Sequence, residues 1–176
     1  MNKVINKETI KNLKAILVDV DGVLTDGGLY YDSHGNELKR FNVKDGQIIK
    51  YLKRELIIIG VITGRVSKSV DRRVQELGFD FYRKGISNKI ESFEEFLEIY
   101  NLNPDEVAYM GDDIIDLAIL NLVGFSGTPA DSKEYIKSRV DYIALSKGGD
   151  GAFRDFVDYI LEEKGLFEQI LSENSK

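Results

Sequence analysis

Two aspartates two residues apart, Asp19 and Asp21, stand between the apolar run at residues 15–18 and Gly22. A short apolar run of this kind reads as a buried strand, and alternate residues of a strand share a face, so both carboxylates can point the same way. Two like charges held that close repel unless a cation, a proton or hydrogen bonds offset them. Mg²⁺ suits the pair, because it takes hard oxygen ligands and keeps positions open for water and phosphate. Gly22 would let the backbone turn sharply beside a ligand. On its own the segment reads equally well as a strand end followed by a turn, since Asp and Gly are ordinary turn residues.

Other parts of the chain decide between these readings. The β-branched run at residues 56–62 ends in Thr63-Gly64-Arg65, and the run at 107–110 ends in Gly111-Asp112-Asp113-Ile114-Ile115-Asp116. In a parallel sheet such strand ends lie along one edge, so residues distant in sequence meet at one site. Lys89, at the start of a predicted helix, can join them. The set suits phosphoryl transfer. A carboxylate attacks phosphorus and forms an aspartyl phosphate. A neighbouring acid protonates the leaving alcohol and then activates water. Mg²⁺, a lysine and a hydroxyl stabilise the transferring oxygens.

The elements needed to position these groups are legible as well. Apolar residues at helical spacing predict helices at 45–55 (Ile48, Ile49, Leu52), 67–77 (Val70, Val74, Leu77) and 90–100 (Ile90, Phe93, Leu97), with Gly78 at a helix end. Another helix carries Phe153, Phe156, Val157 and Ile160, and Gly165 ends it. Further strands are expected at 79–82, 123–126 and 142–145, with a short helix at 133–138. Alternating strands and helices predict a doubly wound parallel sheet in one domain spanning 1–176. Residues of about 26–42 read as a β-hairpin flap around Asp32-Ser33-His34-Gly35-Asn36, and about 165–176 as a tail. Tyr30, Tyr31 and Phe41 are expected to be poorly covered in a monomer, as at an interface. His34, the only histidine, reads as a turn residue.

Composition narrows the function. A chain of 176 residues with 43% hydrophobic content suits one ordinary core. The net charge of −6 argues against a basic surface that grips nucleic acid, so positive charge for a phosphate must be supplied locally. The absence of cysteine excludes disulfides and thiol chemistry. The amino terminus, with Lys3, Lys7, Glu8 and Lys11, does not read as a signal peptide, and a cytoplasmic protein is expected.

Asp19-x-Asp21-Gly22-x-x-x-Thr25, Thr63, Lys89 and Gly111-Asp112-Asp113-x-x-Asp116, in this order and on these elements, resemble the four motifs of the haloacid dehalogenase superfamily of phosphatases. The chain leaves no room for a cap domain. Together with the flap, Asn42-Val43-Lys44-Asp45-Gly46, Ile62-Thr63-Gly64-Arg65 and Gly148-Gly149-x-Gly151-Ala152-x-Arg154, this is similar to the capless subfamily acting on phosphorylated sugar acids. The resemblance runs over roughly residues 13–161.

It implies Asp19 as nucleophile and Asp21 as general acid and base. Asp19, the backbone carbonyl of Asp21, and Asp112 would hold Mg²⁺. Thr63 and Lys89 would hold phosphoryl oxygens, with Asp113 and Asp116 as supporting acids. Asn42, Val43, Lys44, Asp45, Gly46, Gly64, Arg65, Arg73 and Arg154 would face the substrate alongside Asp21 and Lys89. The implied substrate is 3-deoxy-D-manno-octulosonate 8-phosphate, for lipopolysaccharide biosynthesis, with a nine-carbon sialic-type acid 9-phosphate as the rival. The resemblance also implies a homotetramer in which flaps pack together and the glycine-rich carboxyl-terminal segment reaches a neighbour's active site. Two departures bear on specificity: Lys50 stands where arginine is common, and Asp150 where a basic residue is common.

A phospho-accepting receiver-like binding module is the competing class. It also uses Asp, Mg²⁺, Thr and Lys on a doubly wound sheet. Receivers carry two adjacent acids after the first strand, whereas here the i, i+2 pair comes first and the adjacent acids come late.

Overall fold

The computed structural model describes residues 7–175. The first six residues, part of the stretch read as lacking a signal peptide, lie outside them. No helix among the described residues is long and apolar enough to cross a membrane.

Six parallel strands form the sheet, in the order β5-β4-β1-β6-β7-β8. They are β1 (Ala15–Val18), β4 (Ile58–Thr63), β5 (Phe81–Lys84), β6 (Val107–Met110), β7 (Phe125–Thr128) and β8 (Tyr142–Ile143). The strand order reverses about β1, the switch point at which open sheets of this kind leave a crevice. Every residue of β1 is buried. Helices cover both faces, and each face closes its own core. One core gathers Ile16, Val18, Phe125, Phe153 and Phe156; the other gathers Leu17, Ile62, Phe93, Phe96 and Tyr109. Residues 16 and 18 thus face one side and 17 the other, as the pleat requires.

The covering helices are α1 (Lys7–Lys11), α2 (Val43–Gln47), α3 (Ile49–Arg54), α4 (Lys68–Leu77), α5 (Lys89–Tyr100), α6 (Leu117–Leu120), α7 (Glu134–Lys137), α8 (Ala152–Glu163) and α9 (Phe167–Glu173). Several boundaries differ from the sequence reading, each for a local reason. The helix expected at 45–55 is two helices meeting at Ile48, the first begun by Asn42, whose side chain accepts from Lys44 N at 2.8 Å. Leu56 takes a positive φ of 57° to close the turn after α3, so β4 starts two residues later than expected. Beyond α4, Gly78 is left-handed and Phe79 N still bonds Val74 O, which shifts β5 from 79–82 to 81–84. Val123 N bonds Ile119 O, so β7 starts at 125 rather than 123.

The flap is a hairpin of β2 (Tyr30–Tyr31) and β3 (Glu37–Leu38), tied at its base by an antiparallel bridge between Thr25 and Phe41. Asp32 Oδ1 accepts from His34 N and Asn36 N at its tip, and His34 is exposed there as expected for a turn residue. The expected exposure of its aromatics is corrected in part. Tyr30 and Tyr31 are exposed, but Phe41 packs against its own core under the Arg73 guanidinium.

Candidate active site

Register brings the motif residues together. Val18 pairs with Val61 of β4 and with Met110 of β6, so Thr63 and Asp112 each lie one level beyond Asp19 at the same sheet edge. Asp19 N bonds Met110 O at 3.0 Å, which holds the first carboxylate at the strand end. The chain then turns irregularly through residues 20–24, with Asp21 extended and Gly22 at φ 86°. Gly22 is needed twice, for that φ and for space: a Cβ there would overlap the Asp112 carboxylate.

A buried charge network lies beneath. Lys89 is fully withdrawn from solvent, its Nζ 2.9 Å from Asp19 Oδ1 and 2.7 Å from Asp116 Oδ1. Tyr109 donates to the same Asp116 oxygen at 2.5 Å, and Asp116 Oδ2 accepts from Asp112 N and Asp113 N at 3.1 and 3.2 Å. Asp116 therefore ties the β6 loop to Lys89. Burial alone would lower the Lys89 pKa, but Asp19 and Asp116 hold it above its usual value. Burial, then the Asp116 charge, raises Asp19 to about 7 despite the lysine. Burial, then the charges of Asp19 and Asp116, raises Asp112 to about 8. Tyr109, buried beside these acids, is held well above its usual value and stays a neutral donor.

This is the electrostatic state expected of a cation site. Carboxylate oxygens of Asp19, Asp112 and Asp116 lie within 4.8 Å of one another, and one buried oxygen of Asp112 makes no hydrogen bond. Asp116 is committed through both oxygens to Lys89, Tyr109 and two backbone N–H groups, whereas Asp19 meets Lys89 through Oδ1 alone and Asp112 Oδ1 makes no hydrogen bond, so Asp19 and Asp112 are the side chains better placed to coordinate. The donor set is all oxygen and fits a hard divalent metal.

Thr63 is buried at the end of β4, its Oγ1 accepting from Arg65 N at 3.4 Å. Gly64 lies between them, next to Ile115. Asp113 is exposed and caps the turn at 114–116, its Oδ1 accepting from Ile114 N at 2.7 Å. Arg65 Nε stands 3.9 Å from Asp21 Oδ2.

The residues expected to face the sugar do not all gather there. Val43 and Lys44 are exposed on α2, while Asp45 turns inward, its Oδ1 accepting from Arg154 N at 2.8 Å in the first turn of α8. Arg73 braces this segment from α4, its Nη2 3.5 Å from Asn42 O in space that a Cβ on Gly46 would fill. The Arg154 side chain bonds Asp158 at 2.6 Å along its own helix. Gly148 and Gly149 pack on the chain's own turn after β1, where Gly149 N bonds Val23 O at 3.0 Å and a Cβ on Gly148 would overlap Gly22 O. Helix α9 docks on the same chain, with Ile170 buried and Tyr51 Oη donating to Asn174 at 3.0 Å.

Sequence reasoning passed over Lys39, Glu37 and Tyr109. Tyr109 had a physical signal, since a tyrosine inside a buried strand needs a partner for its hydroxyl. Lys39 had none, because its value depends on where the flap folds.

A carboxylate set beside a buried lysine, at the switch point of a doubly wound sheet, defines a phosphoryl-transfer hydrolase of the haloacid dehalogenase type. The pattern of the haloacid dehalogenase-like hydrolases matches residues 79–154. Over 159 residues the chain is 39% identical to 3-deoxy-D-manno-octulosonate 8-phosphate phosphatase of Escherichia coli K12, covering 90% of this chain and 85% of that one. The crystal structure of the Moraxella catarrhalis phosphatase of that name, in complex with magnesium ion, phosphate ion and KDO, superposes with a TM-score of 0.91. It is 34% identical and covers 95% of this chain and 96% of that one. The cobalt-bound Haemophilus influenzae phosphatase gives 0.86 at 37% identity, covering 90% and 93%. The chain belongs to the haloacid dehalogenase-like hydrolases and, within them, to the family of these sugar acid phosphatases.

Proposed function

We propose that this chain hydrolyses 3-deoxy-D-manno-octulosonate 8-phosphate to the free sugar acid and phosphate, with Mg²⁺, in the cytoplasmic steps of lipopolysaccharide biosynthesis. The observation that carries the reading is the Asp19–Lys89–Asp116 network beside Asp112, which supplies a nucleophile, a fixed cation and a divalent-metal site at one strand edge.

In this assignment Asp19 attacks phosphorus and becomes the aspartyl phosphate. Lys89 and Thr63 hold phosphoryl oxygens, and Lys89 keeps the nucleophile placed. Asp21 protonates the leaving alcohol and then takes a proton from the attacking water. Asp19, the Asp21 carbonyl and Asp112 hold Mg²⁺, which when bound neutralises charge on the phosphoryl group. Asp116 and Asp113 support the loop that carries Asp112. Arg65, Gly64, Asn42 and Gly46 would line the side of the site nearest the flap, with Arg73 and Asp45 bracing that segment, while Val43 and Lys44 lie exposed on α2. Arg154 and the tail after Gly165 would meet a substrate only through a neighbouring protomer, in a homotetramer. The chain is one phosphatase domain. The receiver-like alternative is set aside by membership in a hydrolase family.

A panel of phosphorylated sugar acids, assayed with Mg²⁺ and with chelator, tests this. The eight-carbon 8-phosphate should give the highest kcat/KM, and chelation should abolish it. Faster hydrolysis of a nine-carbon acid 9-phosphate would transfer the assignment to that substrate.

A further inference from the structure

The flap carries a cation into the site. Lys39 follows β3 on a hairpin that is otherwise at the surface, yet its side chain is only 1% exposed. A lysine normally keeps its ammonium in water, and burial is tolerated only when the charge is paired. Here Nζ bonds Asp21 Oδ1 and stands 3.6 Å from Glu37 Oε1. Glu37 in turn takes Arg65 Nη2 at 2.7 Å, and Ser69 Oγ donates to Glu37 O at 3.2 Å. The flap is thus pinned to α4 and the β4 loop from its own chain. One carboxyl oxygen of Asp21 is bound by Lys39; the other, Oδ2, is buried and makes no hydrogen bond.

We propose that Lys39 is a positioning residue for Asp21: by binding Oδ1 it fixes the carboxyl so that Oδ2 is the oxygen that exchanges the proton. The inference rests on the assignment of Asp21 as general acid and base. In the first step Asp19 forms a bond to phosphorus, the bond from phosphorus to the leaving oxygen breaks, and the proton on Asp21 Oδ2 passes to that oxygen. In the second step water attacks phosphorus, its proton passes to Oδ2, and the Asp19–phosphorus bond breaks. Without Lys39, Asp21 keeps only the longer contact of Oδ2 with Arg65 Nε, at 3.9 Å, and its carboxyl meets the leaving oxygen less often. Glu37 and Arg65 set where the flap lies, so flap placement and proton transfer become one geometric condition.

The test is a leaving-group series at saturating Mg²⁺, from 4-nitrophenyl phosphate through less acidic phenyl phosphates to an alkyl phosphate. A weakly basic aryloxide leaves without a proton; an alkoxide needs one. For Lys39→Met the loss in kcat/KM should widen along the series, by on the order of 10²-fold between its ends, the scale of general acid catalysis. Lys39→Arg should recover most of it, and Lys39→Gln provides the same comparison if the methionine variant does not fold. In an Asp21→Asn background, Lys39→Met should add little. A loss of equal size across the series, or an undiminished loss in the Asp21→Asn background, would overturn the proposal. If Asp21→Asn itself shows no leaving-group dependence, the acid–base assignment of Asp21 fails first.

Discussion

Gly22 and the Asp112 carboxylate share a boundary that admits no side chain on the glycine. The turn after β1 and the loop after β6 are therefore packed backbone against carboxylate, and moving either displaces a residue of the proposed site. Gly22→Ala should remove most activity and weaken divalent-metal binding, while the left-handed φ of 86° adds a stability loss of about 1 kcal/mol. Metal titration and thermal melting of the variant measure the two effects separately. Normal metal affinity in the variant would show that the loop yields without disturbing Asp112.

That boundary was half legible in the sequence. The strand ends and the polar residues on them, Asp19, Asp21, Thr63 and Asp112, were read from apolar runs that stop at polar residues, because buried parallel strands leave a strong local pattern; Lys89 was read from its place at a helix start. Gly22 was expected to turn the chain, but nothing local said which residue it must avoid. The Gly148 to Gly151 segment shows the same limit: it reads as a loop or a reach toward a neighbour, and the structure lays Gly148 on the Gly22 carbonyl. Lys39 was passed over, and the inward turn of Asp45 was not legible, because their surroundings come from elements far away in sequence.

Lys89 between Asp19 and Asp116 makes a stability claim as well as a catalytic one. Lys89→Met should abolish turnover and destabilise the fold by roughly 3–5 kcal/mol, since two buried carboxylates lose their cation. Adding Asp116→Asn should return part of that stability without returning activity. Urea unfolding of the single and double variants checks this. A double variant as unstable as the single would mean that Asp116 matters mainly to its backbone partners.

Proton and metal should compete at the carboxylate pair. Asp19 and Asp112 have folded pKa values of about 7 and about 8, above the unfolded value of about 4. A group raised in the folded state favours folding below its unfolded pKa and loses that contribution as pH rises through the folded one. Metal-free protein should therefore lose stability between about pH 4 and pH 8. Mg²⁺ takes the deprotonated form, so the rise in Tm that it causes should grow over the upper part of that range. Melting curves with Mg²⁺ and with chelator across pH 5.5–8.5, values chosen to span about those pKa positions, test it. An Mg²⁺-induced shift that is constant with pH would contradict the link.

Asp45 offers a control away from the metal. Burial raises its carboxyl to about 6 even though Oδ1 accepts from Arg154 N. Asparagine keeps the acceptor and removes the charge, so Asp45→Asn should gain stability relative to the parent as pH rises from about 4 to about 6, then hold that advantage. Paired melts over this range measure it. A growing disadvantage would indicate that the negative charge is worth more to the α8 amino terminus than its burial costs.

Assembly is tested best at flap residues that the structure leaves uncovered. Leu29 and Leu38 are 51% and 53% exposed, whereas Phe41 belongs to the chain's own core and would report on folding instead. Without a cap, a sugar acid bound at the strand edge is open to water, which weakens its ionic contacts. Closed symmetry would let each protomer's site be walled by a neighbour. Replacing Leu29 and Leu38 together with glutamate should lower the sedimentation coefficient and reduce kcat/KM on the sugar acid phosphate. Activity on a small aryl phosphate should fall less, because that substrate uses the metal core and not the walls. A parent protein that sediments as a monomer while turning over its best substrate at full rate would leave the flap with a single duty, holding Lys39 against Asp21.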